Sequence, residues 1–386
     1  MGDRRGPLTH RPEDLVVFLG PSLSHAEAVA LAPCLPLPPA GQGDVWRALA
    51  LRPRAICLID GLFESRPSVW HRELLAALEA GVQVFGAASM GALRAAELWS
   101  FGMIGVGRIF GWIQAGIVED DSEVALLHAG GEHGYRPMTV PQVNVRWAAE
   151  LARVERILDA GEARALVRAG AGIFYQDRIW PRVVARAARG WRRGTRARFE
   201  RWAARGPPDL KAEDARQGLL AAAEFVARRA PAAPQVARPR PSSLVRRHRL
   251  TDGSSASGGR LVPGEVVLER LRRRGDRASL TEVGVRRALL AGWARSQGLV
   301  PDAAALRRAE ASWLPAGVVA RSVFLAASGL DVAEARRLTE DLALERLALS
   351  NANRLLADGS SELEALAAEA RRTGIWAREA AGLARR

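Results

Sequence analysis

Three short stretches constrain this chain more than any others. "DLVVFLG", "RAICLIDG" and "VQVFGAA" hold the apolar runs LVVFL, AICLI and, broken only by Gln83, VQVF, each followed by small or turn-forming residues. A strand with one wet face alternates apolar and polar residues, whereas a run that is apolar throughout is covered on both sides. Helical patterns separate the runs: "HAEAVAL" follows the first, and "VWHRELLAALEAG" lies between the second and third. Strands alternating with helices in this way form a mostly parallel sheet with helices on its faces. The expectation is therefore an α/β core over residues 15–150, behind a polar N-terminal tail over 1–14.

From residue 105 onward the pattern changes. Residues 105–147 are irregular, with the acidic run Glu119-Asp120-Asp121 and two prolines, Pro137 and Pro141. Residues 151–228 carry helical patterns and form a helical extension. Residues 229–262, "RAPAAPQVARPRPSSLVRRHRLTDGSSASGGRLV", are rich in Pro, Ser, Gly and Arg and have little to bury, which predicts a linker. Residues 263–386 read as a C-terminal all-α domain, with helices near 265–274, 279–297, 302–312, 315–327, 331–348 and 360–384.

Of the 386 residues, 48% are hydrophobic, enough for more than one packed core. No apolar run reaches membrane-spanning length and the N-terminus has no signal-like apolar segment, so a cytoplasmic protein is expected. Cys34 and Cys57 suit buried small hydrophobes better than a disulfide framework, and the six histidines have no metal-ligand spacing, so neither metal nor cofactor is expected. Net charge is +14, but residues 1–150 carry −4 and the rest +18, which would steer an acidic partner to the latter. Lys211 is the only lysine. The basic, aromatic stretch 184–205 could contact nucleic acid, but a solvated helix face is the commoner meaning, and no recognition motif lifts it.

Candidate chemistry gathers at the strand-to-helix junction "VFGAASMGALRAAEL". Ala87-Ala88-Ser89-Met90-Gly91 differs by one methyl group from the G-x-S-x-G nucleophile elbow, in which a tight turn lifts a serine clear of the sheet. The Met90 N–H would then face a developing oxyanion. The plainer alternative is that Ser89 caps the following helix. Asp60 closes the strand "LIDG" and belongs at the same carboxyl edge, where ligands of parallel sheets bind. Ser22, after the first strand, is more simply a turn residue. In "HRELLAAL", His71 precedes Leu74, Leu75 and Leu78 at helical spacing and is expected on the buried side, beside Arg72 and Glu73. Arg94 and Glu97 form either an i,i+3 surface pair or charge next to the serine.

"FLGPSL", "GDVWRAL", "LIDGLFES", "SVWHRELLAAL", "GVQVFGAASMGALRAAEL", "FGMIGVGRIF" and "DDSEVALLH" together resemble the core of the TfuA-like proteins over residues 15–150. "IFYQDRIW" at 173–180 resembles a further feature of that family. The resemblance implies an accessory of peptide backbone thioamidation that works with a YcaO enzyme. It implies hydrolysis of the thiocarboxylated C-terminus of a ThiS-like sulfur carrier, releasing sulfide, with a precursor peptide as the third partner. It also implies a hydrolase-like Ser–Lys site, whose serine falls on Ser89. The lysine is placed at Arg72, which stays protonated and cannot be a general base; His71 would then be the base. The alternative is a non-catalytic adaptor holding the three partners together.

Overall fold

The computed structural model describes residues 10–62, 66–229, 243–257, 260–330, 332–351 and 362–383. The chain divides into two compact units, Met1–Glu265 and Val266–Arg386.

The first unit is built on the expected parallel sheet. Its elements run β1 (Leu15–Phe18), α1 (His25–Leu31), β2 (Leu35–Leu37), α2 (Asp44–Leu49), β3 (Ala55–Leu58), α3 (His71–Glu79), β4 (Gln83–Ala87), α4 (Met90–Leu98) and β5 (Ile104–Val106). Strand order is β2-β1-β3-β4-β5, every pair parallel, with Val16 opposite Ile56 and Ile56 opposite Val84. Alternate strand residues supply two separate cores. Val16, Phe18, Ile56, Leu58 and Val84 pack under α2, α3 and α4. Leu15, Val17, Cys57, Phe85 and Ala87 face the other way. This division explains why β1 and β3 are apolar at every position and β4 at all but Gln83.

The second face draws its cover from beyond residue 150. After α5 (Arg108–Gln114), α6 (Gln142–Val154), α7 (Ala160–Ala171), α8 (Trp180–Ala187) and α9 (Thr195–Ala203), the chain returns as α10 (Leu210–Ala227). Ala215, Leu219, Ala222, Ala223 and Val226 of α10 join the core beneath β1, β3 and β4. The packing is close: a Cβ on Gly218 would stand 2.6 Å from that of Ala87. Residue 150 is therefore no packing boundary, because the sheet needs α10 to cover it. Helices α6–α9 form their own core around Phe199, whose ring lies 5.5 Å from Trp191 and 5.4 Å from Trp202. The aromatic residues of 184–205 thus pack against one another, leaving the arginines on the outside.

Within the expected linker 229–262, residues 230–242 and 258–259 lie outside the described residues. The rest includes α11 (Ser243–Asp252) and an antiparallel pair, β6 (Ser254–Ser257) and β7 (Arg260–Pro263). His248 of α11 meets the Trp70 ring edge-on at 4.9 Å, and Arg47 donates to the Asp252 carbonyl at 3.0 Å. A segment with little to bury is held here by polar and ring contacts rather than by a core. The helices that follow are α12 (Gly264–Arg272), α13 (Arg277–Ser296), α14 (Ala303–Ala311), α15 (Val318–Ala327), α16 (Val332–Ser350), α17 (Glu362–Arg372) and α18 (Ile375–Leu383). In the second unit, α13 and α16 share a small core of Ala291, Ala294, Leu344 and Ala348. The helix expected over 360–384 is two, broken at Gly374, whose φ of 72° a continuing helix cannot hold. Among the described residues no helix is long and apolar enough to cross a membrane.

Candidate active site

The junction between β4 and α4 is tight because its residues have almost no side chains. A Cβ on Gly86 would fall 2.1 Å from the Gly91 carbonyl oxygen, and one on Gly91 would fall 1.8 Å from the Leu58 oxygen. Only glycine at both positions lets α4 start directly on the carboxyl ends of β3 and β4. The Gly91 N–H donates to the Ile59 carbonyl at 3.1 Å and fixes that approach. The turn itself is strained. Ala88 has φ of 64°, unusual for a residue with a Cβ, and sits at the centre of a three-residue turn closed by Ser89 N–H to Ala87 C=O at 2.8 Å.

Ser89 follows at the N-cap position of α4, with φ −115° and ψ −121°, and its side chain makes no capping bond. It is 2% exposed, and what remains opens into a cavity of about 420 Å³ at the carboxyl edge of the sheet. The Met90 amide is the first N–H of α4, where helices present unsatisfied donors, and it has no acceptor among the described residues.

Asp60 and Lys211 line the same cavity. Asp60 follows β3 and is buried. Its Oδ2 accepts from the Gly20 and Ser22 amides, both at 2.9 Å, and its Oδ1 accepts from the Ser22 hydroxyl at 2.6 Å. Ser22 is thereby assigned its turn role: Asp60 ties the β1–α1 loop to the end of β3. Lys211, in the first turn of α10, is 2% exposed. Its Nζ donates to the Val124 carbonyl at 2.9 Å and stands 3.9 Å from Asp60 Oδ1. Burial pushes the Lys211 ammonium below its ordinary pKa, against the opposing pull of Asp60 and Asp209. A nucleophile candidate and a buried amine thus share one cavity with a carboxylate beside the amine.

Three further residues complete the wall. His128 ends the "DDSEVALLH" stretch and lines the cavity, and its Nδ1 donates to the Ala129 carbonyl at 2.8 Å, which fixes the ring. Tyr175 and Gln176 come from "IFYQDRIW" and reach the cavity from beyond α7. Among the described residues no three His, Cys, Asp or Glu side chains are placed to hold a metal ion.

The residues expected from "HRELLAAL" lie elsewhere. The helix begins at His71, not at Val69, because Glu73 reaches back to the Trp70 N–H at 3.1 Å. His71 therefore starts the first turn and is exposed, contrary to the expected buried side. Its Nε2 is 2.7 Å from Glu97 Oε2, which also takes Arg94 Nη1 at 2.7 Å. Arg94 additionally donates to the Val69 carbonyl at 3.2 Å. This trio clamps α3 to α4 outside the cavity, and Arg72 does not line the cavity either. Glu73 is fully buried and accepts from Gly43, Val45 and Trp70 amides; burial raises its pKa to about 7. It organises the start of α2 and α3. Lys211 carried one signal in the sequence, its uniqueness among 56 basic residues, but nothing there linked α10 to Ser89.

Residues 60–179 match the family described as TfuA-like protein. The chain carries a TfuA-like region. That region spans less than half of the chain, and no curated protein matches the chain. The TfuA-like region includes Asp60, Ser89, His128, Tyr175 and Gln176 of the cavity wall; Lys211 reaches it from outside the matched residues.

Proposed function

We propose that the protein is the hydrolytic accessory of a peptide thioamidation system, releasing sulfide from a thiocarboxylated ThiS-like sulfur carrier beside a YcaO enzyme and its precursor peptide. The observation that carries this reading is the shared cavity of Ser89 and Lys211, the amine buried and shifted toward its neutral form. A lysine becomes a usable base when burial lowers its pKa, as arginine never does. Lys211 therefore takes the role for which Arg72 and His71 were considered.

In the proposed reaction Ser89 Oγ attacks the thiocarboxylate carbon and its proton passes to Lys211 Nζ. The Met90 N–H stabilises the oxyanion. The C–S bond breaks, sulfide leaves and takes up a proton, and an acyl-serine remains. Water, deprotonated through Lys211, cleaves that ester to give the carrier's carboxylate and restore Ser89. Asp60 holds the cation that forms transiently on Lys211.

The test is Ser89→Ala in the full chain, measured as sulfide released from a thiocarboxylated ThiS-like carrier. We expect a folded protein with a rate lower by about 10³-fold or more, as for loss of other nucleophiles. An alanine variant as active as wild type would transfer the reading to the adaptor, in which the cavity only seats a carrier terminus.

A further inference from the structure

A second cavity, of about 620 Å³, lies between α5, α6 and α7 and shares no residue with the Ser89 site. Its floor is apolar: Trp112, Ala149, Ala163 and Val167, with Ile117 at the lip and 47% exposed. Its walls are basic. Arg146, Glu150 and Arg153 stand on one face of α6, at spacings of four and three residues, and Arg164 and Arg168 stand one turn apart on α7.

The charges in this groove do not balance. Arg146 is held by Glu123 through contacts of 2.5 and 2.9 Å, and Glu150 is matched by Arg108 at 3.6 Å. Arg153, Arg164 and Arg168 make no ion pair among the described residues and are exposed. Three uncompensated guanidinium groups around an apolar floor of one tryptophan and small aliphatic side chains call for an occupant with carboxylates on one side and apolar side chains on the other. Guanidinium forks match carboxylates bidentately, and an amphipathic segment laid in a groove buries its apolar face on the floor.

We propose that this groove docks an acidic, amphipathic segment of a partner protein. A nucleic acid fits less well: phosphates would meet the arginines, but the floor offers a single ring, Trp112, among Ala149, Ala163 and Val167, where successive bases need successive rings.

The experiment is a fluorescence-anisotropy titration of the full chain with a labelled amphipathic helical peptide of Glu, Leu and Ala. Two companion peptides carry Gln for Glu or Ser for Leu. We expect the parent peptide to bind, and each companion to bind at least about tenfold more weakly. We expect the same loss for the parent peptide when Arg153→Gln, Arg164→Gln and Arg168→Gln are combined, and a smaller loss for Ile117→Ser. Equal binding of all three peptides, or undiminished binding to the arginine variant, overturns the proposal. So does a single-stranded RNA of equal charge that binds more tightly and displaces the peptide. Sulfide release is not read, so the outcome is independent of Ser89.

Discussion

Replacing Lys211 by methionine separates catalysis from stability. The side chain keeps its length and loses its charge. Three consequences follow from its surroundings. The Val124 carbonyl loses a donor at 2.9 Å, a cost of about 1 kcal/mol. Asp60 loses a cation at 3.9 Å but keeps three donors from Gly20 and Ser22, so its carboxylate is not orphaned. The desolvation of a buried ammonium disappears, and because burial outweighs Asp60 and Asp209 in setting the Lys211 pKa, that relief offsets much of the loss. The net change in stability should stay within about 2 kcal/mol of zero. Sulfide release should fall by about 10²–10⁴-fold, the range for a general base.

The pH dependence has a definite sign. The folded-state pKa of Lys211 lies below its unfolded value, so between the two the unfolded chain binds more protons. Stability from this group therefore rises with pH through that window, is complete above the unfolded value near ~10.4, and is least below the folded one. Thermal melts of wild type and Lys211→Met from pH 7 upward should show the wild type gaining on the variant. The wild-type rate of sulfide release should rise with pH through the lowered lysine pKa, and Lys211→Met should lack that limb. A methionine variant that releases sulfide at the wild-type rate refutes the assignment. One that fails to fold refutes the energetic balance drawn around Asp60.

Other sites give independent outcomes. Gly91→Ala should destabilise by about 3 kcal/mol or more in urea titrations, because the new methyl meets the Leu58 backbone oxygen, whereas Gly111→Ala, in open space on α5, should be neutral or stabilising by up to ~1 kcal/mol. Asp214→Ala removes the acceptor of the Arg108 and Ile109 amides, at 2.9 and 2.7 Å, and should cost about 1–2 kcal/mol at the start of α5. Burial holds the Asp214 carboxyl up at about 6, so its contribution to wild-type stability should decline as pH rises from ~4 to about 6; the alanine variant should show a shallower slope, the remainder coming from Glu73, whose pKa burial raises to about 7, read as Tm against pH. A chain ending at residue 228 should fold and keep sulfide release, while one ending at 209 should be insoluble, having exposed the sheet face that α10 covers.

The sheet was legible because its signal is local. β1 and β3 are apolar at every position and β4 at all but Gln83, and runs of that kind separated by helical patterns fit a parallel sheet covered on both faces. The small residues around Ser89 likewise announced a close approach, and Gly86 and Gly91 are where the backbone atoms nearly touch. His71 failed for a local reason too: helical spacing assigns a face but not a start, and Glu73 fixes the start one residue too late for His71 to be covered. Lys211 failed for a non-local one. It is 151 positions from Asp60, and what carries α10 to the sheet is chiefly its apolar stripe, which reads equally well as part of a helical extension.

The residue at the junction is better explained by chemistry than by capping. A capping serine sits in the extended region, and its hydroxyl takes an amide of the first turn, contributing about 1 kcal/mol. Ser24 does this for α1, accepting from Glu27 N–H at 3.2 Å with φ −72° and ψ 150°. Ser89 has neither feature: its ψ is −121° and no capping bond forms. The turn before it costs more than a cap returns, since a non-glycine residue at φ 64° stores about 1–3 kcal/mol. Glycine at position 88 would relieve that strain and alanine at 89 would give up no bond, yet the chain has Ala88 and Ser89. What the strained turn accomplishes is to aim the 89 side chain into the cavity that Asp60 and Lys211 line, with the Met90 N–H beside it. Ala88→Gly should accordingly stabilise the fold while slowing sulfide release, because the freed turn no longer holds Ser89 in one direction. Faster release from the glycine variant would mean that the turn hinders the reaction instead of serving it.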